Sequence, residues 1–327
     1  MALEVDDITA LVDLERGTVA GRAFADDRVY DLELERVFAR AWCFLCDTRE
    51  LTAAGQFVST FTGEDPVAVV RQSDGSVKAM LNSCRHRGLP VCGAVGGAPR
   101  LTCGYHGWTY DLDGRLVGVL DGDEDFRRWA QERRLALIPV TGTTEVAGLL
   151  FGTWDATTPQ PIGSGPSALG TSIEAVRAGS PLTRHPRPMR FAENWKVVVE
   201  ALGRLADREE GTCVFPACAA LPSRGLVGAV HPKGPSACEV ALSVSAHAPV
   251  EAYDLVNAAI DAELQPEGPR TVVLNLKSRL TAPDGCGTEE MPPARPPKHI
   301  DARALTQLYR AWIEHMIDDR PLTGLVT

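Results

Sequence analysis

The sequence has little positive charge and no long apolar segment. Lys and Arg total 33 against 43 Asp and Glu in 327 residues, and the net charge of -10 argues against nucleic acid or an anionic membrane as a partner. No apolar run approaches the roughly 18 residues that a membrane span needs. Acidic residues stand near the N-terminus, where a signal peptide needs basic ones. We therefore expect a cytoplasmic protein.

Histidine is also scarce, with seven residues, whereas cysteine is not, with nine. In a cytoplasmic chain, nine cysteines are expected to be reduced thiols or metal ligands rather than disulfides. The composition is that of a globular protein, 44% hydrophobic and 23% charged, and the length suggests two domains. The composition thus raises the question of which cysteines bind metal.

The hydrophobic pattern divides the chain into four parts. Helix-like apolar spacing predicts a helical lead-in over 1–44. Short β-prone runs, with hairpin signals at Asp74-Gly75 and Asp113-Gly114, predict an all-β domain over 45–156. A stretch rich in Pro, Gly, Ser and Thr predicts a connection over 157–184.

The last part, 185–327, mixes both periods. Strand-like runs cover 226–231, 239–245 and 271–276, and helical patterns cover 194–205, 251–264 and 302–317. We therefore expect an α+β fold, with antiparallel strands and a long C-terminal helix in the second domain.

Two mixed pairs of metal-binding residues stand out in the all-β part. Cys84-x-His86 is followed, after sixteen residues, by Cys103-x2-His106, and glycines surround both pairs. In a Rieske [2Fe–2S] centre, two Cys hold one iron and two His hold the other, which raises the reduction potential above that of an all-cysteine cluster. Each pair offers one thiolate and one imidazole. We predict a Rieske cluster held by Cys84, His86, Cys103 and His106, and hence electron transfer coupled to oxidation chemistry.

Two other interpretations of these four residues remain. They could form a tetrahedral zinc site, although zinc fingers usually group Cys with Cys and His with His. They could also be unrelated buried cysteines and surface histidines. The other cysteines are expected to be packing or surface thiols, including the Cys43-x2-Cys46 pair, which has no second pair nearby.

Four segments carry a family resemblance. They are Cys84-Arg85-His86-Arg87-Gly88, CGYHGWTY over 103–110, Glu193-Asn194-Trp195-Lys196 and Val214-Phe215-Pro216. In this order they resemble the large (α) subunit of Rieske non-haem iron ring-hydroxylating oxygenases. The resemblance implies an all-β Rieske domain followed by an antiparallel-sheet, helix-grip (START-like) catalytic domain.

The resemblance fails at the second metal of that family, a mononuclear iron held by two His and one carboxylate. By offset from Asn194, the acidic residue that bridges subunits falls at Arg204, and the two His positions fall at Asp207 and Thr212. No histidine occurs between His185 and His231, and the carboxylate position falls near Glu267. We predict that this iron site is degenerate.

A carboxylate-rich replacement site is the other interpretation of this helix. It would use Glu200, Asp207, Glu209 and Glu210, since carboxylates bind iron or manganese. A solvated, charged helix face is the expected reading of these residues.

Three functions follow. The chain could carry electrons from an NAD(P)H-dependent reductase or ferredoxin through its cluster to the iron of a homologous catalytic subunit, in a mixed trimeric or hexameric ring that hydroxylates or demethylates a small organic substrate. It could be a complete oxygenase with an unusual metal site. It could be a redox-sensing module that binds a small molecule. The missing histidines favour the first function.

Overall fold

The computed structural model describes residues 5–13, 18–120, 124–132, 135–158, 168–249, 251–264, 302–318 and 320. No helix within these ranges is both long and apolar enough to cross a membrane. The chain begins with short helices and one small hairpin: α1 Val5–Thr9, β1 Val12–Asp13, β2 Thr18–Val19, α2 Arg22–Ala25, α3 Asp27–Glu33 and a π-helical turn Leu34–Phe38. The predicted helical lead-in therefore also contains a two-stranded hairpin.

The next part of the chain is mainly β-structure. Its strands are β3 Cys43–Asp47, β4 Gln56–Thr62, β5 Asp65–Arg71, β6 Val77–Leu81, β7 Val95–Gly97, β8 Leu101–Thr102, β9 Thr109–Tyr110, β10 Leu116–Gly118, β11 Gly142–Val146 and β12 Leu149–Thr153. They form antiparallel sheets of order β6-β5-β4-β7, β10-β9-β8 and β11-β12-β3. A single helix, α4 Glu124–Glu132, follows β10. Both predicted hairpins are present, between β5 and β6 and between β9 and β10.

Strand β5 is buried on both faces, and successive side chains enter different cores. Val67 and Val69 pack against the β3 and β12 side, whereas Ala68 and Val70 pack with the two cysteines of the predicted ligand set. This is the alternation expected of a strand, in which neighbouring side chains point to opposite faces. The two loops that carry Cys84 and Cys103 therefore lie against the sheet β6-β5-β4-β7, on the face opposite to β3 and β12.

The segment 157–184 is more ordered than its composition predicts. Its described part contains helix α5 Ala168–Arg177 and strand β13 Thr183–Arg184. Leu169, Ile173 and Val176 of α5 are buried in one core cluster, at the i, i+4 and i+7 spacing of a helix face. The predicted connection thus contains a helix and a strand that its composition did not indicate, because a short apolar stripe follows the Pro- and Gly-rich run.

A six-stranded antiparallel sheet follows. Its strands are β13, β14 Met189–Phe191, β15 Thr212–Val214, β16 Cys218–Leu221, β17 Leu226–Pro232 and β18 Cys238–Val244, in the order β13-β18-β17-β16-β15 with β14 also paired to β18. The helices are α6 Trp195–Arg208, α7 Ala252–Leu264 and α8 Ala302–Met316. They confirm the predicted helices and the α+β class. The run at 271–276 lies outside the described residues.

Helix α6 begins where the sequence predicts. The Asn194 side chain accepts a hydrogen bond from the Lys196 N–H over 3.0 Å, which caps the helix. Trp195, Val198 and Leu202 then lie in the core between the sheet and the other helices. This placement fixes which residues of α6 face inward and which face solvent.

Candidate metal centre

The first ligand loop is a tight turn that begins at Cys84. Its N–H donates to the Leu89 carbonyl, and the Gly88 N–H donates to the Cys84 carbonyl, both over 2.8 Å. Gly88 has a φ of +78°, which L-residues rarely adopt. His86 lies inside this turn, two residues after the cysteine. The turn thus presents a thiol and an imidazole from one short loop.

The second loop repeats this construction. The Cys103 N–H donates to the Trp108 carbonyl over 2.8 Å, and the Gly107 N–H donates to the Cys103 carbonyl over 3.0 Å. Gly107 has a φ of +68°, and a Cβ there would lie 2.2 Å from a methyl of Leu120. His106 lies inside the turn, three residues after the cysteine. The two loops are therefore built alike although their cysteine–histidine spacings differ.

The four predicted ligands lie together at the ends of these loops. Cys84 and Cys103 are buried in the same core cluster, and the rings of His86 and His106 are 4.7 Å apart between centroids. The Nδ1 atom of His106 is buried and has no hydrogen-bond partner in the described part of the chain. A buried imidazole nitrogen normally has a partner, and an iron ion would supply one. Two buried thiols and two adjacent imidazoles fit a Rieske cluster.

Within the described ranges, no three His, Cys, Asp or Glu side chains are placed to hold a single metal ion. A structural zinc site needs four ligands around one ion, so it is not favoured by this placement. In a Rieske centre, each iron has only two protein ligands. The arrangement therefore agrees better with two separate ligand pairs than with one tetrahedral site.

A tyrosine hydroxyl contacts the first cysteine. The Tyr110 hydroxyl lies 3.3 Å from Sγ of Cys84 and accepts the Arg85 N–H over 3.0 Å. Burial, followed by the hydrogen bond to Cys84, raises the pKa of Tyr110, so the hydroxyl keeps its proton. Because its oxygen already accepts from Arg85, this proton is available to the sulfur. Hydrogen bonds to cluster sulfurs tune the reduction potential.

Each ligand histidine contacts an aromatic ring. The buried Trp108 ring stacks on His86, 4.9 Å between centroids and 5° from parallel, and Tyr105 lies over His106 at 3.8 Å. Tyr105 is 54% exposed. The buried ring fixes the orientation of one imidazole, whereas an exposed ring covers the other. Sequence reasoning assigned no role to Tyr105, Trp108 or Tyr110, although all three lie within the matched segment CGYHGWTY.

The segment that contains both loops has a charge opposite to that of the chain. From Ser83 to Tyr110 there are three arginines, Arg85, Arg87 and Arg100, all exposed, and no acidic residue. The whole chain has a net charge of -10. The segment that carries the four predicted ligands is thus positively charged, in contrast to the chain as a whole.

The positions predicted for the second metal site carry none of the histidines that the Rieske loops have. Asp207 is exposed at the end of α6, and the Thr212 hydroxyl lies 2.6 Å from the Ser172 hydroxyl. Arg204 forms an ion pair with Glu200 over 3.6 Å. Glu267 lies outside the described residues. The three offset positions therefore hold an exposed carboxylate, a hydrogen-bonded hydroxyl and a guanidinium.

The carboxylates near this helix have other partners. Glu200 is partly buried and accepts the Tyr309 hydroxyl, and its desolvation raises the pKa of its carboxyl. Glu209 binds the Arg224 guanidinium, with 2.6 Å to Nη2, and this lowers the pKa of Glu209. Glu210 is exposed. No arrangement of these residues resembles a shared ligand set.

The remaining described histidines serve other contacts. His185 stacks on Tyr253, His315 packs on Phe215, and His247 is exposed. His231 is buried beside Phe61, with its Nε2 atom unpartnered in the described part of the chain. His299 lies outside the described residues. Within the described ranges, none of these histidines belongs to a group of three or more side chains that could hold a metal ion.

Five of the six described cysteines outside the predicted ligand set are buried. Cys43 and Cys46 are buried, and burial raises the pKa of both, to about 12 for Cys43. Such thiols stay protonated near neutral pH, which agrees with a packing role for this pair. Cys92, Cys218 and Cys238 are buried and Cys213 is exposed, whereas Cys286 lies outside the described residues.

Comparison with known proteins connects this geometry to a family. The family model of the Rieske [2Fe–2S] domain matches residues 41–124. The chain is 36% identical over 198 residues to the α subunit of biphenyl 2,3-dioxygenase from Rhodococcus jostii, which covers 59% of this chain and 43% of that protein. The chain thus spans less than half the length of this curated relative.

Two solved structures share the fold over nearly the whole chain. Naphthalene 1,2-dioxygenase with indole bound in its active site has a TM-score of 0.70 at 18% identity, covering 95% of this chain and 94% of its own. A quaternary ammonium Rieske monooxygenase, whose structure concerns carnitine oxidation and inter-subunit electron transfer, has a TM-score of 0.69 at 16% identity, covering 97% and 99%. Taken with the two cysteine–histidine loops, these matches establish that the chain carries a Rieske [2Fe–2S] domain and is a homologue of the α subunits of ring-hydroxylating dioxygenases.

Proposed function

We propose that this chain is an α-like oxygenase subunit that accepts electrons from an NAD(P)H-dependent reductase or a ferredoxin and delivers them to the mononuclear iron of a homologous partner subunit. The two subunits form a mixed ring of three or six chains. The partner carries out the hydroxylation or demethylation of a small organic substrate. In this chain, Cys84 and Cys103 would hold one iron of the cluster, and His86 and His106 would hold the other.

The observation that carries the proposal is the contrast between the two candidate sites. The Rieske loops bring together two buried thiols and two adjacent imidazoles, one of which has an unpartnered buried nitrogen. At the family's iron positions on and after α6, Asp207 faces solvent and Thr212 is bonded to Ser172. A catalytic iron of the two-His-one-carboxylate type has no histidine to bind there.

The protein groups around the centre support electron transfer. When bound, the cluster supplies reversible one-electron chemistry at a potential that its imidazole ligands raise. The Tyr110 hydroxyl keeps its proton directed at Sγ of Cys84, and the Trp108 ring fixes the orientation of His86. The exposed Arg85, Arg87 and Arg100 favour a partner surface rich in carboxylates. In this chain, these residues would tune the cluster, orient its histidine ligand and recognise the partner surface. The oxygen chemistry would occur in the partner.

The comparisons support an arrangement of several subunits. The related biphenyl dioxygenase sequence is that of an α subunit, and the quaternary ammonium monooxygenase structure concerns electron transfer between subunits. Transfer between neighbouring chains would let a chain with a cluster and without catalytic iron contribute to turnover. A complete oxygenase with an unusual metal site and a redox-sensing module are the competing functions.

Reconstitution tests the proposal. The chain would be produced alone and together with a homologous α subunit that has the two-His-one-carboxylate set, with a reductase and NADH supplied to both. We expect product only from the mixed assembly, and a loss of that product when the partner's own cluster ligands are intact but its iron ligands are replaced. Product from this chain alone would favour a complete oxygenase. Failure of the two chains to associate would contradict the mixed ring.

A further inference from the structure

A single buried amide closes the first ligand loop at its base. Asn82 is 2% exposed, and its Oδ1 atom accepts the N–H groups of Val91 and Cys92 over 2.9 and 2.8 Å. Its Nδ2 group donates to the Cys92 carbonyl over 2.9 Å and to the Ser59 hydroxyl over 3.0 Å. An amide can donate twice and accept twice, so all of the hydrogen-bonding capacity of Asn82 is used.

Asn82 lies at the start of the loop, and its partners lie at the end of the same loop. It follows β6 directly and precedes Cys84 by two residues, whereas Val91 and Cys92 end the same loop. The Asn82 N–H is itself held by the Pro66 carbonyl over 2.8 Å. The side chain therefore ties the end of the loop to its beginning, and the enclosed residues include Cys84 and His86.

A serine on the sheet β6-β5-β4-β7 holds the base of the loop. The Ser59 hydroxyl, on β4, donates to the Gly93 carbonyl over 2.6 Å, and the Ser59 N–H donates to the Ala94 carbonyl over 2.8 Å. The Ser59 carbonyl accepts a hydrogen bond from the guanidinium of Arg184, which lies on β13 of the six-stranded sheet. Two adjacent side chains, Asn82 and Ser59, thus hold residues 91–94 in one place.

We propose that Asn82 is a positioning residue that preforms the first ligand loop before a cluster is bound. The inference rests on the proposed role of Cys84 and His86 as cluster ligands. Without the amide, the N–H groups of Val91 and Cys92 would lose their partner. The end of the loop would keep its bonds to Ser59 but would lose the side-chain tie to the start of the loop. The loop would then sample arrangements in which Cys84 and His86 no longer match the second loop.

The substitution Asn82→Asp separates positioning from charge. A carboxylate keeps the two acceptor bonds to Val91 and Cys92 but cannot donate to Cys92 or Ser59. It also places a negative charge near the cluster, which disfavours an added electron. Asn82→Asp should therefore keep the protection of the two amides and lower the reduction potential, whereas Asn82→Ala should lose the protection.

Gln72→Ala supplies a matched control. Gln72 is another buried amide in the same part of the protein, and its Nε2 group donates to the carbonyls of Val70 and Leu112 rather than to the ligand loop. Its loss should cost stability comparable to that of one or two buried hydrogen bonds. Any effect seen with Asn82→Ala and absent from Gln72→Ala therefore belongs to the loop.

The deciding experiment measures amide exchange in the full chain without its cluster and chelator-driven cluster loss in the loaded chain. For Asn82→Ala we expect exchange of the Val91 and Cys92 amides, and cluster loss, each about tenfold faster than in the parent and in Gln72→Ala. Parent-like exchange at these two amides would overturn the inference, as would equal cluster loss in Gln72→Ala. If Asn82→Ala does not fold, loss of amide protection in Asn82→Asp would overturn it, and retained protection with a lowered potential would support it. A parent chain that binds no cluster would contradict the proposed function and leave the exchange test of Asn82 intact.

Discussion

The Tyr110 hydroxyl lies 3.3 Å from Sγ of Cys84, across 26 residues of sequence, and can donate a hydrogen bond to that sulfur when Cys84 is a thiolate ligand. A hydrogen bond to a cluster sulfur stabilises the reduced state more, because the reduced cluster carries more negative charge. Tyr110→Phe should therefore lower the midpoint potential by about 40 mV, which corresponds to a difference of about 1 kcal/mol in the hydrogen bond between the two redox states. Redox titration followed by EPR measures the shift.

Tyr105→Phe is the matched control for Tyr110→Phe. It removes a hydroxyl from an exposed ring on the second ligand loop and keeps the ring over His106. We expect no change in potential from this control. An equal shift in both variants, or none in Tyr110→Phe, would contradict a specific bond to Cys84.

Replacing a ligand histidine by cysteine should have a larger effect. His106→Cys would convert the proposed two-histidine iron toward an all-cysteine environment, so the potential should fall by at least about 200 mV. Turnover supported by this chain in a mixed assembly should be lost. His247→Cys changes an exposed histidine far from the motif and serves as the control. Unchanged turnover in His106→Cys would refute the electron-relay role.

The buried His231 predicts sensitivity to acid. Burial, then the charges of Arg184 and Lys233, lowers the pKa of His231 from 6.5 to about 3. The imidazole is therefore neutral when folded and protonated when unfolded between these pH values. Its contribution to the free energy of unfolding is complete above pH 6.5 and is lost as the pH falls toward 3, by up to about 1.4 kcal/mol per pH unit.

His231→Leu removes this titration and isolates its effect. Urea unfolding of the cluster-free chain at pH 7, 5.5 and 4.5 should show stability falling less steeply with acid in the variant than in the parent. Other groups titrate in both proteins and cancel in the difference. Parallel pH profiles for parent and variant would show that His231 is not held neutral.

A buried ion pair joins the N-terminal helices to α6. Lys196 contacts Glu33, which also accepts the indole N–H groups of Trp195 and Trp312 over 2.7 and 2.8 Å. Both charged side chains are almost fully buried. Lys196→Met leaves Glu33 without its cation and should lower the free energy of unfolding by about 3–5 kcal/mol. Urea denaturation measures the loss.

An exposed pair gives the comparison for Lys196→Met. Arg190 and Glu239 lie 2.9 Å apart, and the arginine side chain is 80% exposed. Arg190→Met should cost less than about 1 kcal/mol, because water screens the pair. Equal losses in the two variants would mean that burial of Glu33 and Lys196 does not determine their contribution.

Local signals in the sequence were sufficient to locate the two cysteine–histidine loops and most of the helices and strands. The Cys-x-His and Cys-x2-His pairs, the Asp-Gly hairpins and the Asn194 cap each lie within a few residues, so spacing alone reveals them. Helix α5 was not predicted, because its apolar stripe follows a Pro- and Gly-rich run.

The contacts that the sequence could not reveal join distant segments. Glu33 and Lys196 are separated by 163 residues, and Arg177 and Asp47, a fully buried pair 2.8 Å apart, by 130. Nothing in the sequence indicated the roles of Asn82 and Tyr110. Only the folded loops bring Asn82 to Cys92 and Tyr110 to Cys84. Pairings of this kind depend on sheet order and cannot be derived from periodicity.

The most direct test of the account is the content of iron and acid-labile sulfide in the chain purified alone in its loaded form. We expect two irons and two sulfides per chain, from one cluster held by Cys84, His86, Cys103 and His106 and no mononuclear iron at Asp207 and Thr212. Three irons with two sulfides per chain would contradict the degenerate site, and iron without sulfide would contradict the cluster itself.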